Sequence, residues 1–174
     1  FSYLNPVLRY GFERFADDAA AAGADGALLT DLNIEAAEPY LAEMRKHGLH
    51  TVFLVSQTTT DERMRRVAAA SSGFLYLVST AGVTGERTEL SDAAVPLLER
   101  ARRATDLPLA VGFGLSTREH MEAVAPYADA AIVGSAFMRI VEQNQNDPGL
   151  AGKLRAKAAE LKAGLRAPAA VVEG

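Results

Sequence analysis

Pro108-Leu109-Ala110-Val111-Gly112-Phe113-Gly114-Leu115-Ser116-Thr117-Arg118-Glu119 contains a complete strand, turn and helix start. Residues 108–112 are short, continuous and apolar, the pattern of a strand covered on both faces. Gly112-Phe113-Gly114 makes the turn. Ser116-x-x-Glu119 then has capping-box spacing, in which a hydroxyl and a carboxylate satisfy exposed amides at a helix start, here for a helix over 118–125. The unit repeats in both directions. Strands are predicted at 26–31 (GALLTD), 51–55 (TVFLV), 74–79 (FLYLVS) and 130–134 (AAIVG). Helices are predicted at 12–22, 34–47, 60–70, 92–104 and 137–141, with a last one at 150–165. Thr59-x-x-Glu62 repeats the capping-box spacing, and Gly23 and Gly48 stand where a left-handed residue ends a helix. Strand ends recur every 22 to 33 residues, which describes an α/β chain of βα units with a parallel sheet and no internal domain boundary. Such a repeat closes either as an open doubly wound sheet or as a (β/α)8 barrel. No GxGxxG or Walker pattern follows any strand, which lowers the nucleotide-binding reading.

Composition excludes several classes. The 174 residues are 49% hydrophobic and carry 18 Lys+Arg against 22 Asp+Glu, a net charge of −4. Arg63, Arg65 and Arg66, and Arg100, Arg102 and Arg103, are the dense basic spots, both on helical segments with acidic neighbours. They read as solvated faces, so no nucleic-acid partner is expected. Apolar stretches stop well short of the ~20 residues that cross a bilayer, so no membrane partner is expected either. Zero cysteines exclude disulfides, thiolate zinc sites and thiol nucleophiles, and suit a cytoplasmic location. Phe1 opens the chain without a methionine and without the pattern of a signal peptide, so a processed chain or a fragment is expected.

In barrels the reacting groups stand at the C-terminal strand ends, with phosphate held by the last two loops and a short helix start. Gly112-Phe113-Gly114 follows one strand and Gly134-Ser135 follows the last, just before a helix. Glycine lets amides approach an anion closely, a helix start adds oriented N–H groups, and the Ser135 hydroxyl can donate one more bond. A single glycine after a strand is ordinarily only a turn, and it is their succession on the last two units that points to an anion. Gly82-Val83-Thr84-Gly85 is a third glycine-bearing loop on that rim, polar enough for a lid or for an ordinary surface loop. Asp31 ends a strand and either faces the same rim or caps the following helix. Tyr76 lies inside a strand, as core or as a phenol facing an aromatic ligand. His47, His50 and His120 fall at a helix end, before a strand and on an exterior helix, without a carboxylate at ligand spacing. No metal and no histidine base are assigned. No Ser-His-Asp or nucleophile-elbow pattern occurs.

Tyr3-Leu4-Asn5-Pro6 with Gly11, Asp31, Tyr76-Leu77-Val78-Ser79 running into Gly82-Val83-Thr84-Gly85, Gly112-Phe113-Gly114-Leu115-Ser116 and Gly134-Ser135-Ala136 together resemble the tryptophan synthase alpha subunit family. Order and spacing match from Phe1 to about Val141. The resemblance implies a partial (β/α)8 TIM barrel of the ribulose-phosphate-binding type, running from about the end of strand 3 to helix 8, as one incomplete domain over 1–174 with a frayed tail at 168–174. It implies a lyase of tryptophan biosynthesis that cleaves indole-3-glycerol phosphate to indole and glyceraldehyde 3-phosphate by a retro-aldol step. Gly85, Gly114, Gly134 and Ser135 resemble the phosphate site. Tyr3, Tyr76 and Phe113 resemble the wall around the substrate, and Thr84 resembles the lid residue that helps position a catalytic carboxylate. Asn5, Pro6 and Asp31 resemble a contact with the beta subunit of an α2β2 heterotetramer. No cofactor is implied for this chain, since pyridoxal phosphate belongs to that partner.

Departures set expectations of their own. The family's general acid/base glutamate and indole-binding aspartate precede the position matched by Phe1, so no catalytic residue is assigned in this chain and the fragment alone is expected to be inactive. Tyr3 resembles the end of a third strand, leaving about five full units where closure requires eight. Asn33 stands where proline is usual, and Ser56-Gln57 where Ala-Pro is common. One alternative is a non-catalytic, phosphate-sensing partner of a beta subunit. Another is a different phosphate-binding barrel of the same pathway, which would not explain the GVTG loop or the Asn5-Pro6 start.

Overall fold

The computed structural model describes residues 1–78 and 94–165. The described strands are β1 (Gly26–Leu28), β2 (His50–Ser56), β3 (Leu75–Val78), β4 (Leu109–Gly112) and β5 (Ala130–Ala131). They pair in the order β1-β2-β3-β4-β5, every pair parallel. That order settles the closure. A doubly wound sheet reverses its strand order at a switch point, and this one never does. Right-handed crossovers that always advance to the next neighbour put every intervening helix on one face, and the strands are consecutive staves of a (β/α)8 barrel. Ser2 extends the series backwards through a parallel bridge to Leu29. Its N–H donates to Leu28 O at 2.9 Å and its carbonyl accepts from Thr30 N–H at 3.1 Å, as a strand ending near Tyr3 requires.

The helices are α1 (Leu4–Tyr10), α2 (Phe12–Ala21), α3 (Glu38–Lys46), α4 (Asp61–Ala70), α5 (Ala94–Ala104), α6 (Arg118–Val124), α7 (Ser135–Gln143) and α8 (Leu150–Leu165). Strand register explains where the core sits. Phe53 aligns with Leu75 and Val55 with Leu77, and Leu75 and Leu77 align in turn with Leu109 and Val111. Alternation puts this set on one face, where it packs with Met44, Met64, Leu97, Leu98, Met121 and Val124 of the helix layer. The opposite face carries the row Leu54, Tyr76, Ala110 and the row Ser56, Val78, Gly112. Asp129 fastens the other end of the sheet: its Oδ2 accepts from Leu109 N–H at 2.8 Å and Arg102 Nη2 at 2.5 Å. The Leu109 amide and then the Arg102 guanidinium hold its carboxyl below the usual carboxylate range.

Several details differ from the sequence reading. α1 was not predicted; Pro6 lies in its first turn, where a missing N–H costs nothing. The predicted helix at 34–47 divides into a 3-10 turn at Ile34–Ala36 and α3, whose start is set by Pro39. Neither capping box forms as spaced, and both N-cap hydroxyls shift by one residue. Thr60, not Thr59, accepts from Arg63 N–H, while Thr59 Oγ1 accepts from Ser56 N–H. Thr117, not Ser116, accepts from His120 N–H. The helix placed at 137–141 spans Ser135–Gln143. Gly23 and Gly48 do hold the left-handed conformation, at φ 79 and 68. Each closes its helix with a six-to-one bond, Ala24 N–H to Ala19 O and Leu49 N–H to Met44 O. The tail at 168–174 lies outside the described residues.

Candidate functional site

β4 and β5 end side by side. Val111 is paired with Ala131, and Ile132 N–H donates to Val111 O at 2.8 Å. Gly114 and Gly134 therefore stand equally far beyond one register pair, on adjacent staves of the same rim. Gly114 has φ 71, a conformation open to glycine at little cost, and it turns the chain sharply between buried Phe113 and buried Leu115. Gly134 is the N-cap of α7 and offers no side chain to its amides. Phe137 and Met138 N–H groups both return to Gly134 O, at 3.0 and 3.1 Å. The amides of Ser135 and Ala136 head the helix ahead of that first turn, beside the Ser135 hydroxyl. A helix start carrying uncapped amides, a hydroxyl and a partial positive charge is suited to an anion. A Cβ built on Gly134 meets nothing within 4 Å, so space is open there.

Tyr76 reaches the same rim from the neighbouring stave. Its residue aligns with Ala110, and its ring runs forward over Gly112: a Cβ on Gly112 would fall 2.5 Å from Tyr76 Oη and 2.8 Å from Cε2. Gly112 is thus glycine because a phenol occupies its side-chain space, a reason the sequence does not show. The ring is half-buried, and burial raises the phenol's pKa. Phe113 is 2% exposed and belongs to the hydrophobic core. It is a wall behind the rim and not an open surface. Thr84 and Gly85, with the rest of the Gly82-Val83-Thr84-Gly85 loop, lie outside the described residues.

Asp31, Asn5 and Pro6 come together on the other side. Asp31 Oδ1 accepts from Leu4 N–H at 2.6 Å, so it caps α1, two helices back along the chain, and not the following helix, which was one of the two roles the sequence leaves open. This joins the first turn of α1, with exposed Asn5 and Pro6, to the end of β1. Tyr3 is 61% exposed at the α1 N-cap, on this corner. A cavity of about 120 Å³ is lined here by Thr30, Asp31, Asn33, Leu54 and Arg63, well below the several hundred Å³ that ligand pockets occupy.

The histidines need correction. His120, although on an exterior helix, is only 6% exposed, and its Nδ1 accepts from Ser116 N–H at 3.3 Å. His47 does pair with a carboxylate, Asp17 Oδ1 at 2.6 Å from Nε2, between α2 and α3 and away from the rim. His50 lies against Ser72 Oγ at 3.2 Å. No group of three or more His, Asp or Glu fit to hold a metal occurs among the described residues.

Fold and rim together define a segment of a (β/α)8 barrel, a fold that places its ligands at the C-terminal rim of its strands. The chain belongs to the tryptophan synthase alpha chain family, whose model matches residues 1–166. It is 54% identical over 169 residues to a tryptophan synthase alpha chain of Solibacter usitatus, covering 97% of this chain and 63% of that one. It is 50% identical over 141 residues to that of a Roseiflexus species, covering 81% and 54%. Among solved structures, Mycobacterium tuberculosis tryptophan synthase superposes with a TM-score of 0.86 at 43% identity, covering 95% of this chain and 61% of that one. The Pyrococcus furiosus tryptophan synthase α2β2 complex gives 0.85 at 38% identity, covering 92% and 64%. The chain thus spans less than two thirds of the length of these relatives.

Proposed function

We propose that the protein to which these residues belong cleaves indole-3-glycerol phosphate to indole and glyceraldehyde 3-phosphate, and that this chain supplies the phosphate-holding half of the site. The carrying observation is the side-by-side delivery of Gly114, with its positive φ, and the uncapped Gly134–Ser135 helix start on two paired staves. Gly114, Gly134 and Ser135, with Gly85 from the third glycine loop, hold the phosphate. Tyr76 faces the organic part, backed by Phe113, Tyr3 at the head of α1 is assigned to the opposite wall of that part, and Thr84 supports the acid–base group. Binding energy from the phosphate, remote from the bond that breaks, orients that bond. The acid–base carboxylates that a retro-aldol cleavage requires are assigned to the part of the relatives' length that this chain does not match.

Asn5, Pro6 and Asp31, on one corner, are assigned to contact with a beta subunit in an α2β2 assembly, and pyridoxal phosphate to that partner alone. The solved relative from P. furiosus is such a complex. A cytoplasmic location fits zero cysteines, and no helix among the described residues is long and apolar enough to cross a membrane. The test is indole release from indole-3-glycerol phosphate by the whole protein. Gly134→Asp, which sets a carboxylate against the phosphate, raises KM by about a hundredfold or more, the size expected for a misplaced charge in an anion site. An unchanged KM removes Gly134 from the phosphate site.

A further inference from the structure

We propose that His120 is a positioning residue of the phosphate loop, clamping the turn that carries Gly114; this rests on the function proposed above. The observation is a helix start closed on itself by an imidazole. Thr117 is the N-cap of α6 and its Oγ1 accepts from His120 N–H at 3.3 Å. The His120 ring bends back, and Nδ1 accepts from Ser116 N–H at 3.3 Å. In an ordinary capping box the third helical residue is Glu or Gln and its side chain reaches back to the N-cap amide. Here the third residue is a histidine and it reaches one residue further, into the loop. A backbone N–H can only donate, so Nδ1 carries the lone pair and the proton of the neutral ring sits on Nε2.

The clamp acts where the loop has least freedom to spare. Ser116 stands two residues after Gly114, and Phe113, Leu115 and Ser116 are all buried around it. Gly114 itself, at φ 71, has no side chain to hold it. A donor aimed at an anion is effective only when its direction is fixed before the anion arrives. α8 backs the clamp from outside: Gly164 packs so tightly on α6 that a Cβ there would lie 2.5 Å from Arg118 O and 2.7 Å from Met121 Cβ. His120 touches neither substrate nor reacting atoms, and its role is exerted through Ser116 on Gly114.

The experiment uses the whole protein with inorganic phosphate as the probe, followed by amide shifts of Gly114 and Ser135 and by titration calorimetry. His120→Leu weakens phosphate binding about tenfold, the size of one buried hydrogen bond. His120→Asn, whose Oδ1 stands near the position of Nδ1, restores binding to within about threefold. Thr117→Ala removes the helix cap without removing the clamp, so it lowers melting temperature and leaves phosphate affinity unchanged. Two readouts need no variant: an unprotonated Nδ1 in the nitrogen spectrum of His120, and slow exchange of the Ser116 amide. Phosphate binding by the wild type that His120→Leu leaves intact overturns the positioning role and spares the phosphate site. A protonated Nδ1 or a fast-exchanging Ser116 amide also overturns it, even if His120→Leu fails to fold. No phosphate shift at Gly114 or Ser135 in the wild type overturns the phosphate site itself.

Discussion

The helix side of the sheet and its C-terminal rim are built by opposite rules. On the helix side, Leu75, Leu77, Leu109 and Val111 are fully buried, and every residue of the row meets another large apolar group. At the rim the chain places glycine at 112, 114 and 134, and α7 begins without a side chain over its amides. One region is stabilised by filling space, and the other leaves space open at Gly134. A barrel separates the two because helix-facing side chains and strand ends are different positions of the same repeat. Stability and ligand binding should therefore respond to different substitutions.

The largest expected effect comes from emptying the filled side. Leu77→Ala, at the centre of β3 with Val55 and Val111 as register neighbours, should cost about 2–5 kcal/mol in urea unfolding of the whole protein. A loss below about 1 kcal/mol would mean that the helix layer collapses into the gap. Next is the boundary between the regions. Gly112→Ala puts a methyl group 2.5 Å from Tyr76 Oη, so the ring must swing away, at about 1–3 kcal/mol. Tyr76→Phe leaves the ring edge in place and relieves only the contact with the oxygen, so the double variant should recover part of the loss and not all of it. Full additivity in that cycle would show that the two residues do not meet.

How much of this the sequence showed follows the same division. The strands were legible because 51–55, 74–79 and 108–112 are continuous apolar runs bounded by breakers. The choice between barrel and open sheet was not, since strand order is a long-range property; the family resemblance supplied it and the pairing bears it out. The two hydroxyl-capped helix starts were legible only to within a residue. Thr58-Thr59-Thr60 and Ser116-Thr117 offer several hydroxyls in a row, and backbone geometry decides which one turns to the helix. The short α1 was not legible: Pro6 is at home in its first turn, and its cap comes from Asp31, far along the chain. At the rim, Gly114 and Gly134–Ser135 were visible as glycines after strands. The need for Gly112 was hidden because the ring that excludes a side chain belongs to another strand. His120 read as exterior for want of any sign that its ring turns inward to Ser116.

The rim can be separated from the core by one position. Gly134 has φ −115 and no atom within 4 Å of a built Cβ, so Gly134→Ala should change unfolding stability by no more than about 0.5 kcal/mol. Phosphate affinity distinguishes the variants: Gly134→Ala retains most of it, while Gly134→Asp loses it through charge. If the alanine variant loses phosphate as fully as the aspartate variant, the anion sits against Gly134 Cα and the space there is part of the site.

The smallest effect lies in the helix layer and has a sign that the rim does not share. His47 Nε2 faces Asp17 Oδ1 at 2.6 Å and Nδ1 faces Glu43 O at 2.9 Å. Both partners accept, so the ring holds them together only as an imidazolium with two N–H donors. The Glu43 carbonyl first, and then the Asp17 carboxylate, raise its pKa above the ordinary value near 6.5. A raised folded pKa gives stability that is complete below the unfolded pKa and lost as pH rises through the folded one. The urea midpoint should therefore decline on the alkaline side of about pH 6.5, and Asp17→Asn should flatten that decline. Lys46, whose pKa the neighbouring Glu43 carboxylate raises, stays protonated across the range and does not produce the slope. His47→Gln keeps one donor and has no proton to lose, so its midpoint should be flat from about pH 6 to 8.5. A slope that survives in both variants would place the titrating group elsewhere in the molecule.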